Sequence, residues 1–351
     1  MTLTVDGAAV AGDFEARVDL VVQPGETVAL VGPNGAGKTT ALRAIAGLEP
    51  LAYGRISFAG EVWDDGTRFV PPAGRRVGVV FQQHLLFEHL SAVDNVAFGV
   101  RPGRRPTGAD RRRAEALLDR LGVGSVGAQR PSELSGGQAQ RVAIARALAI
   151  QPSVVLLDEP MAALDVSARA GVRHELADWL SDMPDAARIL VTHDPVDADA
   201  LADRVIVMEA GRVTQRGTLP ELAAAPRTNY VADLLGTNLV RGVLAGNVLL
   251  VEGGGELVVA PHDVADGPAV AAVAPRAVAL HRDRPSGSPR NVWSSRVVAI
   301  ERSSGRVRVR LGAPLPIVVE VTDAGLDALG VGAGDMVWAS VKATEIVVTG
   351  D

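Results

Sequence analysis

From Val28 to Val31 the chain is unbroken apolar, and a glycine-rich turn, Gly32 to Thr39, follows at once. Two later runs, Ser153 to Leu157 and Arg188 to Val191, have the same continuous character. Runs of this kind mark strands buried on both faces, as in a parallel sheet. The opening reads differently. Val18, Leu20 and Val22 fall at every second position after a polar Glu15 and Arg17, the period of a half-buried strand, before Pro24-Gly25-Glu26 turns the chain into the first apolar run. Short strands with turn signals between them are predicted from 49 to 81. Helices are predicted over Thr39 to Leu48, over Ala109 to Leu121 with Leu117, Leu118 and Leu121 as its apolar stripe, and over Val142 to Ala149. Arg204 to Thr214 reads as a hairpin turning at Ala210-Gly211.

After Gly236 the pattern changes. Helical periodicity vanishes, and short alternating strands separated by Gly and Pro take over, as in Gly305 to Leu311, Ile317 to Val321 and Met336 to Lys342. That pattern predicts an all-β module, a small barrel. Residues 281 to 290 read as a loop ahead of a further β unit. The boundary falls in the stretch from Leu219 to Asn238, giving an α/β domain over 1–236 and a β domain over 237–351. A length of 351 residues also favours two domains.

Composition narrows the partners. With 47% hydrophobic and 22% charged residues the chain can build packed cores, and with 3% aromatics those cores must be aliphatic. A net charge of −6 gives no reason to expect nucleic-acid binding. Cysteine is absent, which excludes disulfides and thiolate metal sites. The longest apolar runs fall short of a membrane span. Met1 to Val10 lacks the charged-then-apolar pattern of a signal peptide, so a chain kept in the cytosol is expected, with any membrane role reached through a partner.

The chemistry lies at strand ends. Gly32-Pro33-Asn34-Gly35-Ala36-Gly37-Lys38-Thr39, between a strand and a helix, is the pattern of a phosphate-binding loop. Glycines let backbone N–H groups converge on an anion, and the helix N-terminus adds its positive dipole end. Lys38 supplies a point charge for the β- and γ-phosphates, and the Thr39 hydroxyl suits Mg²⁺. Ser135-Gly136-Gly137 at a second helix start is another anion-binding arrangement. Asp158 and Glu159 end an apolar strand where α/β folds place their ligands. Asp158 suits Mg²⁺; Glu159, on the opposite phase of the strand's alternation, suits polarising a water. Gln82-Gln83 and His193 end two further strands. Phe14 is the aromatic of the opening stretch and can stack on a base or sit in the core. The apolar loop His84 to Leu90 is either a partner surface or core. The arginine-rich stretch 101 to 113 reads as a solvated loop entering a helix.

These motifs, in this order, resemble the nucleotide-binding subunit of an ATP-binding cassette (ABC) transporter over residues 1 to about 236. The likeness is carried by GPNGAGKT, Gln82 after VGVVF, Leu134-Ser135-Gly136-Gly137-Gln138, VVLLDEP, Ala163-Leu164-Asp165 and Thr192-His193-Asp194. The resemblance implies a P-loop NTPase fold and ATP with Mg²⁺ as cofactors. It assigns ATP to Gly32 through Thr40 with Phe14, and Mg²⁺ to Thr39, Gln82 and Asp158. It makes Glu159 the catalytic glutamate, His193 the switch histidine, Gln82 the sensor of the membrane partner and Asp165 part of the D-loop. Leu134 to Gln138 would bind the ATP held by a partner subunit, because the family closes as a head-to-tail dimer around two ATP molecules. Integral membrane permease subunits, dock at Leu85 to Leu90, and a periplasmic or extracellular solute-binding protein are implied as further partners, which puts the chain peripherally on the cytoplasmic face of the membrane. Ala162 departs from the family's usual serine, with weaker cross-talk between sites as the expected consequence.

Residues 237–351 resemble the oligonucleotide-fold-like (TOBE) domain of import ATPases. Ser288 to Val292 and Val341 to Val347 look like its molybdate-binding type. That likeness implies an oxyanion, molybdate or tungstate, on Ser288, Arg290, Lys342 and Thr344. The alternative is a barrel that only dimerises or braces the ATPase. The expected function is the ATPase of a molybdate importer. Importers of sulfate, ferric iron, sugar or polyamine are the alternatives, and behind them stand a soluble ABC ATPase outside transport and an oxyanion sensor.

Overall fold

The computed structural model describes residues 1–100, 105–162, 164, 166–303 and 306–350. The predicted D-loop residue Asp165, with Ala163 beside it, lies outside the described residues. Two compact units divide the chain, Met1–Leu219 and Pro220–Asp351.

The first unit holds two sheets among the described residues. The strands β1 (Leu3–Ala11), β2 (Phe14–Val22), β4 (Leu51–Phe58) and β5 (Glu61–Asp64) form an antiparallel sheet in the order β2-β1-β4-β5. The second sheet contains β3 (Thr27–Val31), β6 (Val77–Val80), β7 (Val154–Asp158), β8 (Ala187–Val191), β9 (Arg204–Glu209) and β10 (Arg212–Gly217), in the order β10-β9-β3-β8-β7-β6. All neighbours there pair in parallel except the β9–β10 hairpin. That hairpin turns where the alternation predicts, with Ala210 at φ 47° and Gly211 at φ 78°. Every residue of β3, β7 and β8 is buried, which explains their unbroken apolar sequences.

Helices α1 (Lys38–Ala46), α2 (Ala92–Val100), α3 (Gly108–Arg120), α4 (Gly136–Ala149), α5 (Val166–Ser181) and α6 (Pro195–Leu201) complete the unit. One core joins the antiparallel sheet to α1 and one face of the parallel sheet. A second joins α2 to α5 and the sheet's other face. α4 begins at the Ser135-Gly136-Gly137 helix start, six residues before the apolar periodicity sets in at Val142. A capping box overrides the low helix propensity of two glycines: Ser135 Oγ accepts from the Gln138 amide, and the Gln138 side chain accepts from the Ser135 amide.

The C-terminus of α1 is closed by a residue distant in sequence. Arg75, 3% exposed, donates from Nη1 to Ala44 O at 2.7 Å and Ile45 O at 2.8 Å, and from Nε to Val70 O at 2.7 Å. Its guanidinium lies over the rings of Trp63 and Phe69. Burial lowers its pKa to about 10, which still leaves it charged at neutral pH. Arg75→Ala strands buried carbonyls at a helix end, so we expect a loss of roughly 3 kcal/mol of stability. Urea unfolding followed by circular dichroism measures it; a loss below about 1 kcal/mol would mean that water replaces the guanidinium at no great cost.

The second unit opens with α7 (Leu219–Ala224, its first residue still in the first unit) and α8 (Asn229–Leu235). β11 (Asn238–Ala245), β12 (Val248–Val251), β13 (Glu256–Val258), β14 (Gly267–Val273), β15 (Ala279–His281), β16 (Asn291–Ser303), β17 (Arg306–Leu311), β18 (Val318–Thr322), α9 (Asp323–Leu329), β19 (Met336–Val341) and β20 (Ile346–Gly350) follow. The strands form two antiparallel sheets, β13-β12-β11-β14-β20 and β15-β19-β16-β17-β18, around one aliphatic core. The expected all-β module is thus present as a curved, barrel-like pair of sheets. The expected disappearance of helix is corrected by α9. Thr322 Oγ1 caps its start, Gly330 at φ 61° ends it, and Leu326 is its buried anchor. Seven residues are too few for a periodic signal to emerge.

Candidate functional site

In the parallel sheet β3, β8, β7 and β6 are neighbours and point the same way. Their C-terminal ends therefore lie side by side, and the residues that follow them meet at one edge. These are the glycine-rich loop after β3, Gln82 after β6, Asp158-Glu159 at the end of β7, and Thr192-His193 after β8.

Phe14, Asn34, Gly35, Ala36, Gly37, Lys38, Thr39, Thr40, Gln82, Asp158 and Glu159 line one cleft. Gly32 and Pro33 serve it from below: their carbonyls accept hydrogen bonds from Lys38 Nζ at 2.8 and 2.9 Å. Gly37 has φ 96°, and a Cβ there would come within 2.8 Å of the Ala16 Cβ and 3.0 Å of the Phe14 ring. Only glycine fits that turn against β2. Phe14 also packs on the first core, so it is at once core and cleft wall.

The charged groups are close and little hydrated. Lys38 is 7% exposed and Asp158 6%. Burial lowers the Lys38 pKa, and the carboxylates of Glu159 and Asp158 oppose the shift. Burial raises that of Asp158, with Glu159 adding to the rise, while the Thr39 hydrogen bond and Lys38 hold it back. Thr39 Oγ1 donates to Asp158 Oδ2 at 3.2 Å, bringing a hydroxyl and a carboxylate oxygen together. Two hard oxygen donors beside a phosphate cradle fit Mg²⁺, which takes few protein ligands and completes its shell with phosphate and water.

Glu159 does not continue the strand's alternation, contrary to the sequence expectation. β7 ends at Asp158, and Glu159 takes a left-handed backbone with φ 46°. Its amide donates to Val191 O at 3.0 Å, anchoring the turn to β8. Both carboxylates thereby reach the same cleft. Gln82 Nε2 donates to Glu159 Oε2 at 3.2 Å, and His193 Nδ1 to Glu159 Oε1 at 3.2 Å. A backbone that side-chain-bearing residues avoid is thus held at the chemical centre.

Sequence reasoning missed the supports of the His193 loop. Arg173 pairs with buried Asp197 at 2.6 Å, and Arg169 reaches Asp194 at 3.7 Å. The two arginines are four residues apart on α5 and face Asp194, the N-cap of α6, and Asp197 in its first turn. That spacing was visible in the sequence, but not that the helices pack.

Leu134 to Gln138 stand apart from this cleft. Ser135 and Gly136 are exposed at the start of α4, and none of the five lines the cleft. In the apolar loop Leu85 is exposed, whereas Leu86 packs on the second core. In the second unit Asn291 pairs with Val341, so Arg290 and Lys342 flank the same end of the β16–β19 ladder. Ser288, Arg290, Lys342 and Thr344 are all exposed there.

The ABC transporter family matches residues 16–162, and the TOBE domain matches 287–348. The molybdenum import ATP-binding protein ModC of Mycobacterium tuberculosis is 41% identical over 97% of this chain and 95% of its own. The sulfate/thiosulfate import ATP-binding protein CysA of Caulobacter vibrioides is 44% identical over 75% of this chain and 77% of its own. A dimeric ATP-binding cassette in a post-hydrolysis state, bound to ADP and Pi, superposes with a TM-score of 0.54 at 28% identity, covering 62% of this chain and 98% of the other. Geometry, sequence and fold agree: the chain belongs to the ABC transporter family, an ATP-binding cassette followed by a TOBE domain.

Proposed function

We propose that this chain is the ATP-hydrolysing subunit of an ABC importer for molybdate. The observation that carries the ATPase part is Glu159, held by Gln82 and His193 at 3.2 Å each beside the Lys38 phosphate loop. Residues 1–236 act as the motor and 237–351 as a regulatory segment. The loop amides, Lys38 and Thr39 bind the phosphates of ATP, with Asn34 to Thr40 forming the cradle and Phe14 flanking the base. Thr39, Asp158 and Gln82 would hold Mg²⁺, which supplies charge neutralisation for the γ-phosphate. Glu159 accepts a proton from the attacking water while His193 keeps its carboxylate oriented. Catalysis of this kind is mainly positioning and charge stabilisation.

The Leu134 to Gln138 turn, exposed at Ser135 and Gly136 and absent from the chain's own cleft, supports a homodimer in which each copy completes the other's site. The dimeric cassette superposed above is consistent with that. Among the described residues no helix is long and apolar enough to cross a membrane. We therefore assign translocation to separate permease subunits, with the chain on their cytoplasmic face and a solute-binding protein supplying them from outside.

Molybdate is supported by the relative aligned along nearly the whole chain. A second reading, sulfate, has its own support: a sulfate/thiosulfate import protein of Burkholderia pseudomallei is 40% identical over 95% of this chain. The juxtaposition of Arg290 and Lys342 suits a tetrahedral oxyanion, whose charge-assisted bonds are roughly twice as strong as neutral ones. Calorimetric titration of molybdate, tungstate and sulfate into the full chain tests this. We expect saturable binding of molybdate and tungstate at least about tenfold tighter than sulfate, lost in Arg290→Ala with Lys342→Ala. Tighter sulfate binding favours the second reading. No binding of any of them reduces the tail to a structural module.

A further inference from the structure

The loop after Gln82 carries two consecutive left-handed residues, His84 at φ 57° and Leu85 at φ 45°. Histidine visits this region more often than most residues, but a leucine does so rarely, and neither is a glycine. Such a turn persists only where its surroundings hold it. Here one side chain does so. Arg146 donates from Nη1 to Leu85 O at 2.7 Å and from Nη2 to His84 O at 2.9 Å, so a single guanidinium fork spans both carbonyls. Its plane lies over the Phe87 ring, 5.6 Å from the centroid. Phe87 packs edge-on against Phe98 at 4.8 Å. Beyond it, fully buried Asn95 accepts from the Phe87 amide and donates to the carbonyls of Phe87, Leu90 and Ser91. The loop is thus fastened at both ends.

Arg146 belongs to α4, the helix whose first turn is Ser135 to Gln138. α4 is locked to α2 at the same level, since a Cβ on Gly99 would come within 2.5 Å of Arg146 O. Arg146 is half-buried, and burial lowers its pKa.

We infer that Arg146 is a positioning residue: it ties the loop that bears Gln82 to the helix that bears Ser135 to Gln138. A shift of α4 is then passed to Gln82, and through Gln82 to Glu159. The inference rests on the ATPase reading above. Arg146 touches neither cleft nor phosphate and acts only through the loop. Lysine cannot replace it, because one ammonium on a flexible stem lacks the planar fork and the stacking face.

Hydrogen exchange on the full-length, nucleotide-free chain reads the contact without reference to activity. Arg146→Ala is expected to speed exchange at residues 83–87 by about tenfold or more while α1 keeps its protection. Unchanged exchange overturns the inference even if the chain proves inactive. Steady-state ATPase then reads the role. We expect kcat to fall about tenfold in Arg146→Ala, with the KM for ATP within about threefold of wild type. Arg146→Lys is expected between the two, and it folds even if the alanine variant does not. Adding Arg146→Ala to Gln82→Ala should cost nothing further, because both remove the same link. Glycine at 84 and 85 takes positive φ freely, so His84→Gly with Leu85→Gly should restore most of the kcat lost in Arg146→Ala. Wild-type kcat in Arg146→Ala, or losses that multiply with Gln82→Ala, overturn the positioning role. A wild-type chain without ATPase activity overturns the functional reading and this role with it.

Discussion

Glu159→Gln is expected to bind ATP with an affinity within about threefold of wild type and to turn it over about a thousandfold more slowly. The two halves of that result have separate causes. The phosphate cradle, with Lys38 braced by Gly32 O and Pro33 O, does not include Glu159 among its bonds. Replacing a carboxylate by an amide of the same size therefore leaves the cradle in place and removes one negative charge beside it. The chemistry suffers differently. Both Glu159 oxygens are engaged, one by Gln82 Nε2 and one by His193 Nδ1. A neutral amide cannot take a proton from water, and one of its two ends must now present N–H groups to a donor. The base and its orientation are lost together. Nucleotide titration and single-turnover hydrolysis, measured on the same preparation, separate the terms. Retained turnover at the wild-type rate would remove Glu159 from the role of base; a large loss of affinity would place it in the binding set instead.

The parts legible in the sequence are those whose physics is local. β3, β7 and β8 are buried on every residue, so their apolar runs declared a central parallel sheet, and the polar residues closing each run meet at one edge of it. The glycine loop was legible because its glycines at positive φ, such as Gly37, leave no alternative residue. Where long-range packing decides, the pattern was silent. The left-handed turn at Glu159 depends on an amide bond to β8, so alternation within β7 misjudged where the side chain points. Arg75 and Arg146 look like ordinary solvated arginines in sequence, yet each spends its donors on carbonyls of a distant segment. At α4 the anion-binding motif Ser135-Gly136-Gly137 located the helix start, whereas apolar periodicity, interrupted by two glycines, emerges only from Val142. The exposed oxyanion candidates illustrate the opposite case: short strings suggested them, and the β16–β19 register puts two of them at one ladder end without enclosing them.

Lys38→Ala is expected to weaken ATP binding by about a hundredfold, with hydrolysis falling in step. Lys38 contributes twice. Two of its donors brace the carbonyls of Gly32 and Pro33, holding the loop in the shape that turns its amides inward. The remaining donor and the charge are free for the phosphates, and a hydrogen bond to a charged group is worth about 1.5–3 kcal/mol. A hundredfold change corresponds to about 2.7 kcal/mol, the size expected for one such contact plus a loosened loop. Removing the cation also leaves Asp158 and Glu159 facing each other without it. Burial already raises the Asp158 pKa and Lys38 counteracts the rise, so its loss moves Asp158 further toward the protonated form. The nucleotide-free chain should therefore remain folded, with Asp158 a poorer ligand for a cation. Thermal unfolding without nucleotide checks the first part, and ATP titration with and without Mg²⁺ the second. If Lys38 acts as described, the variant loses most of the affinity gained from Mg²⁺ as well as the direct phosphate contact. Unchanged affinity for ATP would instead mean that the loop amides hold the phosphates without either contribution, and both roles given to Lys38 would fall.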